Sequence, residues 1–434
     1  MKLENHDVIV VGGGLAGCIA AKAVADKGKK AAMVFPNGGK SELSSGCLDV
    51  FGVVPGEKPA IVYDYAEGIK QIAAKEEHPY HNAKNAVAKG IDAVAELAKI
   101  GGYELVGFEG KNVWIPNMMG TFTLVSYVPC SHEKAVFIKG ESKNVLVVGF
   151  KGNVAFNAVA AAKSYKKYQK KLRLNNNYYS LNLALNGMTG RHRLSDSELA
   201  DYLDTDEGID DLSKKLKSFL ECNSNSYDLV LLPPVLGFVR YRKRLRELRE
   251  ACGVDVAEVL TFGNAVVGYR MTRAIYKGLE REGITLLKGS RVEALSVEET
   301  VVLDCTIGLT DQLHSGEKMT LSAPAVVLAT GGFVGGGIQA RRREIWLNLL
   351  EENLGQVATD ILNRNPVHGS GQEVLTLGAS VNEDFSVKGD KFKGRVFACG
   401  DLLSGFNATA ERSGAGVAVA TGYLAGQNAA RKAN

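Results

Sequence analysis

Residues 7–17 read DVIVVGGGLAG, and residues 396–417 read VFACGDLLSGFNATAERSGAGV. The first stretch is a four-residue apolar run, Val8–Val11, that enters a glycine turn and then a segment of helical spacing from Leu15 to Lys27. A short apolar run bounded by a turn reads as a buried parallel strand. Gly28 reads as the helix C-cap and Ala31–Phe35 as the next strand, so the chain opens with a strand–helix–strand unit. Gly12, Gly14 and Gly17 give GxGxxG at its first junction. Gly12 permits the tight turn, Gly14 lets backbone approach a pyrophosphate, and Gly17 allows close helix–strand packing. The N–H groups of Leu15 and Ala16 then face the phosphate at the positive end of the helix dipole.

The far end of the chain repeats this grammar. Ala325–Leu328 is an apolar strand that ends in Ala329-Thr330-Gly331-Gly332, with Gly335-Gly336-Gly337 close behind as a mobile or very close-packed loop. Val396–Cys399 is a last strand followed by Gly400-Asp401, where Asp401 can accept from ribityl or ribose hydroxyls. Gly414, Ala415, Gly416 and Val417 open a final helix whose dipole can face the pyrimidine edge of a flavin. The expectation is an α/β, Rossmann-like FAD/NAD(P)-binding flavoprotein fold assembled from both chain ends, with an inserted α/β cap domain. The expected boundaries are 1–140 and 263–434 for the two parts of the nucleotide domain and 141–262 for the insert. Within the second part, Ile284–Lys288 and Arg291–Val297 read as consecutive strands; within the insert, 175–211 is polar and hard to assign.

One expected residue is missing. A dinucleotide-binding unit ends its second strand with Asp or Glu, which bonds the adenosine ribose. Here Phe35 stands at or next to that place and cannot accept such a bond. Either the adenosine half of FAD is held differently, or the cofactor is FMN. Ser44, Ser45 and Gly46, after the Gly38-Gly39 turn, can contact phosphate or the isoalloxazine edge, the alternative being an ordinary Ser/Gly loop.

Composition excludes several other classes. Lys and Arg number 52 against 48 Asp and Glu, a net charge of +4, too small to argue for nucleic acid. The basic run Arg240-Tyr241-Arg242-Lys243-Arg244 reads as a solvated helix face, with an anionic membrane or partner contact as the sharper alternative. Seven scattered cysteines with no CxxC argue against a zinc or iron–sulfur site and fit a reducing cytoplasm. The early first strand leaves no room for a signal peptide, and no apolar run reaches the ~20 residues of a transmembrane helix. No Ser–His–Asp order or HExxH stands out; His78, His81, His132, His192, His314 and His368 are isolated. His78-Pro79-Tyr80-His81 reads as a turn, with a ligand contact as the alternative. No catalytic residue is evident; the weak candidates for a cationic substrate clamp are Arg270, Arg273 and Arg412.

These segments together resemble the B subunit of the anaerobic glycerol-3-phosphate dehydrogenase family. The resemblance runs over most of the chain: VIVVGGGLAG from Val8, SSGCLDVFG from Ser44, HPY from His78, Gly120-Thr121, VVGFKG with Phe156-Asn157, LLPPVLGF from Leu231, AVVLATGGFVGGGI from Ala325, and the segment from Val396. The SSGxLD and LxPxxxGF segments are the more specific. The C-terminal segment also looks like the fumarate reductase/succinate dehydrogenase flavoprotein group. The resemblance implies an FMN-associated subunit beside an FAD-containing catalytic subunit and an iron–sulfur subunit that reaches membrane quinone. It implies a cytoplasmic protein, peripheral at the inner face of the membrane through its partners. An FAD remains compatible, its adenine fixed by backbone near Val292. The alternatives are a stand-alone flavin oxidoreductase and a non-catalytic assembly subunit with a degenerate flavin site.

Overall fold

A computed structural model describes residues 6–137, 140–261, 266–308, 316–356, 362 and 371–433. The chain divides into two compact units: Met1–Glu42, Leu48–Gly102 and Thr272–Asn434 form one, and Leu43–Cys47 with Tyr103–Met271 form the other.

The first unit is built on a five-stranded sheet in the order Thr285–Lys288, Ala31–Phe35, Val8–Val11, Ala325–Leu328, Val396–Ala398. All neighbours are parallel, with Val8 opposite both Ala31 and Ala325. Counted along the chain this is order 3-2-1-4-5, a doubly wound sheet whose direction of winding reverses between the first and fourth strands. The reversal places a crevice outside the carboxyl ends of Val8–Val11 and Ala325–Leu328, where the two glycine turns begin. Both strands are buried along their length, which explains their unbroken apolar sequence.

Helix Leu15–Ala25 packs on the last helix, Gly414–Lys432, through small residues. A Cβ at Gly422 would lie 2.4 Å from the Ala16 carbonyl oxygen, and one at Gly426 would lie 2.3 Å from that of Ala20. The four-residue spacing of these glycines brings two backbones into direct contact. Arg291–Val297 is not a further strand of the parallel sheet. It starts an antiparallel meander with Val301–Ile307 and Glu317–Ala323. The alternation of buried Val301, Leu303 and Cys305 with Asp304 outside is the pattern of a half-solvated sheet.

The second unit holds its own parallel sheet, in the order Asn177–Leu183, Asn144–Phe150, Leu229–Leu232, Asp255–Glu258. It extends beyond the 141–262 segment of the sequence reading. Ile115, Val125 and Val128, from strands upstream of that segment, share one core with Val145, Val147, Leu229 and Leu231. The stretch 175–211 resolves into a strand and two helices, Asp196–Asp204 and Asp206–Cys222. Ser195 and Glu198 form a reciprocal capping box at the first of these. The basic run is not all solvated. Arg244 is fully buried and donates to Asp206 at 2.7 Å and Glu247 at 2.9 Å.

Candidate nucleotide site

The turn after Val8–Val11 is held by packing at two of its glycines and open at the third. Gly12 has φ +122°, and a Cβ there would fall 2.2 Å from the Ala329 carbonyl oxygen. One at Gly17 would fall 2.1 Å from the Gly12 oxygen. Gly14 differs: the nearest atoms to its would-be Cβ are Ser41 Oγ at 3.6 Å and the Gly38 oxygen at 4.0 Å. Gly14 is the N-cap of Leu15–Ala25, it offers no side-chain cap, and the first turn carries no acid. Leu15 N–H donates to Ser41 Oγ at 2.9 Å. A helix start without its own anion, a hydroxyl beside it and open space over Gly14 fit a phosphate group. Ser41 carries no motif signal of its own beyond the Gly38-Gly39 turn before it.

The end of Ala31–Phe35 is closed by aromatic rings. Phe35 packs on the glycine turn so tightly that a Cβ at Gly13 would lie 2.4 Å from its Cδ2. Tyr276 sits 5.0 Å from Phe35 ring to ring and donates its hydroxyl to the Gly13 oxygen at 2.7 Å. Tyr276 was invisible to sequence reasoning because it comes from a helix 241 residues after Phe35.

At the carboxyl end of Ala325–Leu328 the glycine run is close-packed. Would-be Cβ atoms at Gly335 and Gly337 meet the carbonyl oxygens of Thr330 and Gly331 at 2.4 and 2.1 Å. Gly400, at φ +70°, donates to Thr421 Oγ1 at 3.0 Å, which fixes the turn that presents Asp401. Asp401 pairs with Lys40 at 2.9 Å, so a residue from each chain end meets here.

The start of the last helix is tied down by a buried knot. His78 Nε2 lies 3.2 Å from Glu411 Oε2, Ser413 Oγ donates to the same oxygen at 2.8 Å, and Asn407 N–H donates to Glu411 Oε1 at 3.0 Å. Arg412, between the two buried residues, takes φ +51°. Gly416 N–H donates to the Asp49 carbonyl at 3.0 Å, and a Cβ at Gly416 would lie 2.1 Å from Tyr80 Oη. Gly416 and Val417 are therefore packing residues, while Gly414 and Ala415 are half-buried at the helix start. The Asp49 side chain faces this corner, half-buried. Desolvation pushes its carboxyl up to about 6 against the pull of Arg412 and Lys40.

The remaining candidates have these surroundings. Ser44, Ser45 and Gly46 belong to the second unit, where Gly46 accepts from Tyr103 Oη at 2.9 Å. Arg270 is buried in that unit and bonded to Glu258 at 2.6 and 3.1 Å and to the Gly237 carbonyl. Desolvation opposes ionisation of Glu258, but the charge of Arg270 outweighs it and holds the carboxyl below its usual range. Arg273 is exposed. The pair therefore does not present two free cations from one helix face. Val292 is buried in the antiparallel meander opposite Cys305. His314 and His368 lie outside the described residues. Among the described residues no group of three His, Cys, Asp or Glu could hold a metal, and no helix is long and apolar enough to cross a membrane.

A sequence profile of the FAD binding domain family matches residues 7–385. The chain belongs to this FAD-binding family. It is a flavin-dependent oxidoreductase, and the α/β flavoprotein fold expected from sequence is that of the family. It is similar along its whole length to proteins named as the B subunit of anaerobic glycerol-3-phosphate dehydrogenase. The probable one from Halobacterium salinarum is 25% identical, over 99% of each chain. That from Glaesserella parasuis is 24% identical, over 96% of this chain and 97% of the relative. An E. coli quinol fumarate reductase structure aligns over 100% of this chain and 71% of its own, at 11% identity and TM-score 0.42.

Proposed function

We propose that the chain is the B subunit of an anaerobic glycerol-3-phosphate dehydrogenase. In this reading it takes electrons from an FAD-containing catalytic subunit and passes them through an iron–sulfur subunit to membrane quinone. The observation that carries the reading is the end-to-end match to relatives bearing that name. One observation favours a relay over a stand-alone substrate enzyme: Arg270, a candidate for a cationic substrate clamp, is buried in an ion pair with Glu258. A flavin suits a relay because it joins two-electron and one-electron carriers. We place its phosphate at Gly12, Gly14, Leu15, Ala16 and Gly17, with Ser41 beside them and Asp401 toward the ribityl or ribose hydroxyls. The chain then sits at the inner face of the membrane through its partners.

Family membership favours FAD, whereas the Phe35–Tyr276 pair favours FMN, since it offers no carboxylate to an adenosine ribose. Denaturing the purified chain and identifying the released flavin decides between them. The isolated chain is expected to hold flavin and to oxidise glycerol 3-phosphate far more slowly than the assembled complex. Full activity of the isolated chain would refute the relay.

A further inference from the structure

Asp49 interrupts an apolar run whose neighbours Leu48, Val50 and Phe51 are at most 1% exposed. A carboxylate in such a place is costly unless it is bonded. Its neighbour in the fold, Glu411, meets that need fully, with donors from His78, Ser413 and Asn407. Asp49 does not: among the described residues its carboxylate has neither a hydrogen bond nor an ion pair within 4 Å, although Arg412 and Lys40 both act on it. Lys40 is already paired with Asp401. Arg412 is held in position by the buried residues on either side of it. The main chain of Asp49 is fixed by Gly416 N–H at the start of the last helix. The result is a carboxyl on a fixed main chain, without a hydrogen bond among the described residues, under the charge of Arg412 and Lys40 and beside the start of the last helix.

We infer that Asp49 is the proton-exchanging group of this site. The inference rests on the relay reading. Electrons that arrive singly from a partner carrier bring no hydrogen, so a cofactor that gains electrons and a proton must draw the proton from the protein or from water. In that step the Asp49 O–H bond breaks, its proton leaves to the reduced cofactor, and the carboxylate that remains is stabilised by Arg412. On reoxidation the electrons leave to the next carrier and the proton returns to Asp49 or solvent. A group that does this near neutral pH needs an affinity close to the working pH, which desolvation gives Asp49 and Arg412 keeps from rising further.

The test uses the flavin-loaded chain and the chain freed of flavin, each as wild type and Asp49→Asn. The wild-type flavin midpoint potential should change its slope against pH near 6, and the variant should lose that bend. In the flavin-free chain, carbon-detected NMR should show one aspartate titrating near 6 that vanishes in the variant. A bend that persists in Asp49→Asn, or no aspartate titrating above the ordinary range, overturns the assignment. A wild-type chain that holds no flavin overturns the relay reading itself and with it this role, and is recognised before any potential is measured.

Discussion

His78 Nε2 and Glu411 Oε2 meet at 3.2 Å, with His78 2% and Glu411 4% exposed. Tyr80 N–H donates to His78 Nδ1 at 3.0 Å, so the ring hydrogen sits on Nε2 and is directed at the carboxylate. The contact joins the HPY turn to the segment that opens the last helix, 333 residues away. Removing one partner leaves a buried polar atom without its bond, which costs more than the bond itself contributes. His78→Ala should destabilise the chain by about 3 kcal/mol from the lost bond to a charged group and the cavity. His78→Gln, which keeps a donor, should cost less. Denaturant midpoints of the two variants check the order; equal losses would show that the ring's volume matters and its hydrogen bond does not.

The glycines of the nucleotide turn separate by what surrounds them. A methyl at Gly12 would collide with the Ala329 carbonyl and would have to adopt φ +122°. Gly12→Ala should therefore fold poorly or not at all. A methyl at Gly14 meets no protein atom closer than 3.6 Å. Gly14→Ala should keep near-wild-type stability while losing flavin, because it fills the space assigned to phosphate. The measurements are thermal midpoint and bound flavin per chain. A stable Gly14→Ala with full flavin occupancy would move the phosphate elsewhere.

The strands and turns of the first unit were legible because they are buried on both faces and read as unbroken apolar runs between glycines. Arg291–Val297 was legible as a strand, but its antiparallel pairing was not, since one short strand does not reveal the direction of its neighbour. The second unit was harder to bound. Its hairpin strands bury Ile115 and Val125 against residues far later in the chain, and no local signal announces that packing. The glycine turns marked where a phosphate is expected, and their packing was not legible beyond that. The aromatic closure by Tyr276, the Ser41 hydroxyl and the Glu411 knot depend on contacts between residues far apart in sequence. Arg270 shows the limit most clearly: an arginine looks the same in sequence whether it is free or sealed against Glu258.

That sealed pair carries its own prediction. Arg270 and Glu258 are at most 3% exposed, joined by two hydrogen bonds, and the Arg270 guanidinium lies 4.7 Å from the Tyr241 ring centre. Breaking a buried pair by removing one partner costs about 3–5 kcal/mol, because the remaining charge is uncompensated. Arg270→Met and Glu258→Gln should each fall in that range by chemical denaturation. The double variant should be less destabilised than their sum, since neither charge is left alone. Arg270→Lys should not rescue, because a single ammonium cannot reproduce the two-pronged contact. Strict additivity in the double variant would refute the coupling.

His132 lies beside the same pair and makes the second unit acid-sensitive. It is fully buried, and desolvation pushes its imidazole down from 6.5 to about 4, with Glu258 acting the other way and Arg270 adding to the depression. Between these two values the unfolded chain binds the proton and the folded chain does not. Unfolding therefore takes up a proton there, and stability rises with pH. The contribution is complete above 6.5 and is lost as pH falls toward 4. At 1.36 kcal/mol per pH unit the loss comes to about 3 kcal/mol. His132→Gln replaces the ring with an amide that does not titrate, so its denaturation free energy should fall less than that of wild type between pH 7 and pH 4. Because other acids titrate over the same interval, the quantity that decides is the difference between the two curves. It should open below about pH 6.5 and reach its full size near pH 4. Parallel curves would mean that His132 binds its proton equally well in the folded and unfolded chain.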